Sequence, residues 1–215
     1  MTTLSEKAER IYSHLENRVD AVIHVVGVLF AINAGLWLLF HTTGLSVVVS
    51  VSVYCVGLFA MLTASAAYNM APEGRARDIL RRFDHSAIFI MIAATYTPFA
   101  ANRLGEPAGN IILAAIWLCA TFGVAMKMLF PRRFELAAVA FYIVMGWMIV
   151  AVIKPLAANV STADFWLLMG GGMVYCAGVA FYLIERIPYH KAIWHVFVLT
   201  AAVLQFASIA GEFTA

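Results

Sequence analysis

The chain reads as an all-α integral membrane protein, a bundle of seven transmembrane helices with its N-terminus cytoplasmic and its C-terminus outside. Three observations predict this. First, of 215 residues 63% are hydrophobic and only 12% charged, where a soluble domain carries about a quarter charged residues. Second, the charge-free runs are Ala21–Pro72, His85–Asn102, Pro107–Met126, Leu136–Ile153, Phe165–Ile184 and Ala192–Gly211. A helix needs about 20 residues to cross the bilayer core, so the last five runs make one pass each. The first is long enough for two and is cut at His41-Thr42-Thr43-Gly44. Third, twelve of the fourteen Lys and Arg residues fall on one side of that topology, leaving Arg103 and Lys154 on the other. Basic loops stay cytoplasmic, and the odd pass count follows independently from hydropathy.

The first 19 residues are polar and of mixed charge, without an apolar leader-like core, and read as a short cytoplasmic lead-in. The passes are expected at 20–40, 45–70, 84–101, 107–128, 135–154, 164–184 and 189–211. Pass one places Asp20 and His24 four apart, hence on one helical face. Pass two ends with Ser65 and Asn69, again four apart. Pro72 and Gly74 break the chain before a loop whose Ile79, Leu80 and Phe83 predict a short interfacial helix. Pass three opens on Arg81-Arg82-Phe83-Asp84-His85 and then runs about fifteen residues without charge. Asp84 is expected at the helix N-terminus, where the dipole favours an acid. Pass four is scaffold. Pass six holds Gly170-Gly171-Gly172, read as close helix packing. Pass seven begins with His190, Lys191 and His195. Cys55, Cys119 and Cys176 lie far apart in apolar runs, which argues for buried thiols rather than a disulfide framework or a CxxC metal site.

An ionisable residue just inside a membrane entry point is a functional-site candidate. Asp20, His24, Ser65, Asn69, Asp84, His85, His190, Lys191 and His195 all fall in one layer near the cytoplasmic face. Each has an ordinary reading: polar groups at helix ends sit among headgroups, and lysines snorkel. Ser65, Asp84 and His195 stand out together, because passes two, three and seven can close on one another.

Here SAAYN (Ser65–Asn69), RRFDHSAIFIMIAATYTPF (Arg81–Phe99) and PYHKAIWHVFVL (Pro188–Leu199) resemble the signature segments of the hemolysin III family, part of the progestin and adipoQ receptor group, which is similar to alkaline ceramidases. The resemblance implies a seven-helix membrane fold and a zinc site near the cytoplasmic face. Carried over residue by residue, Ser65, Asp84 and His195 match, while Asn69 and Lys191 stand where the family has histidines and Gln205 where it often has another. Two site readings follow. In one the zinc site is degenerate and the Lys191 ammonium faces Asp84. In the other His195, His190 and Asp84 hold zinc. His24, Asn69, His85 and Lys191 are expected to line the cavity. The favoured function is a non-enzymatic membrane protein with a cytolytic, channel-type or lipid-homeostasis role, located in the cell membrane with membrane lipids as partners. The alternative is a zinc-dependent lipid amide hydrolase with Asp84 as base and Ser65 at the oxyanion. No basic run supports nucleic-acid binding.

Overall fold

The computed structural model describes residues 14–184 and 186–214, and it is helical from end to end. Helix α1 spans His14–His41, α2 Leu45–Met70, α3 Arg75–Asn102 and α4 Ala108–Leu129. Then come α5 (Glu135–Trp147), a 3-10 turn (Met148–Val152), α6 (Ile153–Asn159), α7 (Thr162–Leu183) and α8 (His190–Phe213). Residues 1–13 of the expected lead-in, including Lys7 and Arg10, lie outside the described residues, and its remainder is the first turn of α1.

Among the described residues, six stretches are long and apolar enough to cross a membrane: α1, α2, α4, the run Glu135–Asn159, α7 and α8. The expected third pass is not among them, and the reason lies in packing. Helix α3 is the middle of the bundle, in contact with α2, α4 and α5. The other long helices expose Leu, Val, Ile and Phe along their length, as a lipid-facing surface requires. The large apolar residues that α3 exposes, among those described, are Ile79 and Phe83 in its first turns. A helix wrapped by protein needs no apolar jacket, so α3 carries Thr95, Tyr96, Thr97 and Pro98, all buried.

Two further expectations are corrected. The loop after α2 breaks at Pro72–Gly74, but from Arg75 the chain is helical without interruption into the third pass. The expected interfacial helix and that pass are one element. Asp84 therefore lies in the tenth position of a 28-residue helix, beyond the first turn where the dipole acts. The fifth pass also continues past Lys154 to Asn159 and is broken by its 3-10 turn. Tyr96 repairs that break. Its hydroxyl accepts from the Ile149 amide at 2.7 Å and sits 2.9 and 2.8 Å from the Met145 and Gly146 carbonyls. Backbone freed at membrane depth must find such a partner inside the protein.

Small residues set the close approaches. A Cβ at Gly57 of α2 would lie 2.6 Å from the Cβ of Ala94 on α3, and one at Gly178 of α7 would lie 2.7 Å from Phe197 on α8. The three-glycine run divides: Gly171 faces Gln205 of α8, while Gly170 and Gly172 face open space. Polar pairs fix the ends. At one end Asn102 bonds Ser46 and Ser50, and Arg103 pairs with Glu212. At the other, Arg81 pairs with Glu135, and Asp20 meets His195.

Candidate functional site

The start of α1, the end of α2, the early turns of α3 and the starts of α5 and α8 converge at that second end. Asp20 and His24 follow one another on the inner face of α1 and are 8% and 5% exposed. A buried acid in a membrane bundle needs partners, and Asp20 has two. His195 Nδ1 donates to Asp20 Oδ1 at 2.6 Å, and His24 Nε2 lies 3.5 Å from Asp20 Oδ2. The two imidazoles lie against each other with centroids 4.3 Å apart. One ligand atom from each of Asp20, His24 and His195 lies within 4.8 Å of the others, a group able to hold a metal ion.

This group differs from the expected one. His195 is a member, but its nearest acid is Asp20, not Asp84. Asp84 lies across the same cavity, interacting with the Ser65 hydroxyl and within electrostatic reach of His195, His24 and His85. His190 is buried at the first turn of α8 and lies outside the cavity lining, as do Lys191 and Asn69. The Asn69 amide turns back onto its own helix, donating to the Ser65 carbonyl at 3.0 Å. His85 does line the cavity and also reaches Glu135, its Nδ1 3.5 Å from Oε2. The structure thus brings Ser65, Asp84, His195, His24 and His85 around one space. Asp20 is the residue that sequence reasoning undervalued. Its signal was present in the spacing to His24, but an acid at a presumed helix end has an ordinary explanation in the headgroup zone.

The space is a cavity of about 200 Å³ with a mostly apolar lining. On α3 its wall is Asp84, His85, Ile88, Met91, Ile92, Thr95, Tyr96 and Phe99, a strict three-and-four spacing along one face. At about 1.5 Å per residue, Asp84 to Phe99 covers about 22 Å, most of a hydrocarbon core of about 30 Å. Helix α7 supplies the opposite wall with Leu168, Gly172, Tyr175 and Val179. The cavity is therefore a long apolar slot whose polar end is the histidine and carboxylate cluster.

The donor set of Asp20, His24 and His195 suits zinc. Two imidazoles and a carboxylate are the three protein ligands of an open catalytic-type zinc site, and the buried His24 Nε2 makes no hydrogen bond in the protein. The same trio is also a self-sufficient arrangement in which one carboxylate orients two rings.

A helical bundle of membrane-spanning length, enclosing a mostly apolar cavity that Asp84, His24, His85 and His195 border at one end, defines a polytopic membrane protein. Comparison with known proteins makes the class specific. The family model described as Haemolysin-III related matches residues 12–206, and the chain belongs to that family. It is 36% identical over 207 residues to Hemolysin-3 of Bacillus cereus, covering 94% of each chain. It is 36% identical over 194 residues to the Hemolysin-3 homolog of Bacillus subtilis (strain 168), covering 89% of this chain and 91% of that one. The Monocyte to macrophage differentiation factor of Homo sapiens is 29% identical over 163 residues, 73% of this chain and 67% of that protein. No solved structure matches the chain.

Proposed function

We propose that this chain is a lipid-binding protein of the cell membrane that holds one long acyl chain in the slot and its polar head at the Ser65, Asp84 and His195 end, in a membrane-lipid homeostasis role. The observation that carries this reading is the slot's length along α3 from Asp84 to Phe99, mostly apolar in lining and carrying Asp84, His85, His24 and His195 at one end. An acyl chain passes from lipid into this apolar lining without losing an apolar environment, while the polar end satisfies a carboxyl or amide head. In this reading α3 crosses the membrane with the other six rods. The N-terminus and the polar end of the slot are cytoplasmic in this reading, which the distribution of Lys and Arg supports.

The test uses Gly172, whose added Cβ meets nothing within 4 Å while the residue lines the slot. Gly172→Phe fills the slot without a backbone clash. The expected result is saturable binding of labelled palmitate by the detergent-purified protein, and at least tenfold weaker binding by the variant with an unchanged melting temperature. Non-saturable binding by the parent chain, or equal binding by a folded variant, contradicts the proposal.

A second reading rests on the proximity of Asp20, His24 and His195. In it these three hold zinc, which when bound activates water beside a lipid amide, while Asp84 accepts a proton and Ser65 donates to the amide oxygen. Zinc near stoichiometry, lost in His195→Ala, together with release of fatty acid from a long-chain amide, would favour this hydrolase over a binding protein. The relatives' name points to a third activity, cytolysis. Release of a trapped dye from vesicles by the same purified sample separates a channel-type or lytic role from both.

A further inference from the structure

A second pocket, of about 230 Å³, opens beside the slot where the early turns of α3 meet the turn between α4 and α5. Its walls carry Arg81, Arg82, Lys127 and Arg132 against two carboxylates, Asp78 and Glu135. Glu135 is already shared: Lys127 Nζ lies 2.9 Å and Arg81 3.1 Å from it. Arg132 reaches Asp78 at 2.6 Å. Four cations and two acids leave two positive charges in excess within one concavity. Lys127 is 2% exposed, too deep to discharge that excess into water. The Arg82 Nε is buried without a hydrogen-bond partner. Arg132 and Phe134 in this turn take left-handed backbone conformations, at φ 63° and 57°. The chain on either side of Pro131 and Arg132 exposes Leu129, Phe130 and Phe134.

We infer that this pocket binds the phosphate of an anionic phospholipid headgroup. The chemistry is that of a tetrahedral oxyanion met by guanidinium forks. Basic pockets between membrane helices at the headgroup level are where such lipids dock. The flanking chain selects the lipid over free phosphate, because exposed Leu and Phe side chains beside a charged pocket fit acyl chains rather than water. Arg82 and Arg132 are the binding groups, and Glu135 holds Arg81 and Lys127 in position.

The test titrates the full chain in detergent with dioctanoyl phosphatidylglycerol, dioctanoyl phosphatidylcholine and inorganic phosphate. The expected result is saturable binding of phosphatidylglycerol, at least tenfold weaker binding of phosphatidylcholine, and no displacement by equimolar phosphate. Arg82→Gln and Arg132→Gln each weaken phosphatidylglycerol binding about fivefold. Arg77→Gln, outside the pocket, leaves it unchanged, and so does Gly172→Phe, which separates this pocket from the slot. Should Arg82→Gln fail to fold, the more exposed Arg132 gives the same reading. Equal affinity for the two lipids, displacement by equimolar phosphate, or undiminished binding in both pocket variants overturns the inference.

Discussion

Asp20 lies behind the polar end of the slot, with one oxygen toward each of the two lining histidines, His24 and His195. Asp20→Asn keeps the volume and removes the charge that orients both rings. It should lower stability by about 1–3 kcal/mol, the usual cost of leaving buried polar partners unmet, measured as a lower melting temperature in detergent. His195→Ala should cost a similar amount, and the double variant less than the sum, because the two share one bond. A strictly additive double variant would mean that the contact contributes little. The same residues mark how far the site was legible beforehand. Ser65, Asp84, His195, His24 and His85 were readable as one layer, because their positions along four passes are set by helix geometry alone. Which acid meets His195 was not, since that depends on the rotation of α1 against α8, and hydropathy carries no record of rotation. The expectations for His190 and Lys191 failed to reach the slot for the same reason: both sit in the first turn of α8, short of the cavity's end.

At the scale of elements, α3 is organised by what it touches. Tyr96 holds the 3-10 break between α5 and α6 by its hydroxyl. Tyr96→Phe should cost about 1–3 kcal/mol and loosen that span, seen as faster amide exchange at Ile149. Unchanged exchange would show that another group serves the break. The glycines make a paired prediction. Gly57→Ala drives a Cβ into Ala94 and should cost about 1–3 kcal/mol, as overpacked sites do. Gly170→Ala meets open space and should be neutral or stabilising by up to about 1 kcal/mol, the helix propensity difference. Equal effects at the two positions would contradict the packing described. The break after Pro72 and the cut at Gly44 were readable because turn residues act locally. The fusion of the loop with α3 had a signal, since no Pro or Gly interrupts Arg75–Asp84 and basic residues are good helix formers, but Asp84 at the edge of a charge-free run looked like a helix start. The 3-10 break at Met148–Val152 had no signal: its residues are apolar, and its stabilising partner lies on another helix.

For the whole molecule, the slot and the basic pocket share a wall. His85 and Glu135 line both, so one end of the bundle presents a mostly apolar slot beside a basic pocket. Hydropathy and charge asymmetry predicted the helical membrane architecture because the bilayer imposes both on any spanning chain. They could not predict the slot, whose wall is assembled from side chains of α3, α5 and α7 that lie far apart in sequence. The most direct test of the central claim is to photo-crosslink a diazirine-bearing fatty acid to the chain in membranes and map the labelled residues. The account predicts saturable labelling of slot residues such as Met91, Ile92 and Leu168, competed by unlabelled fatty acid and abolished in Gly172→Phe. Labelling confined to outward residues such as Phe40, Leu118 and Phe122, insensitive to competitor and variant alike, would contradict it.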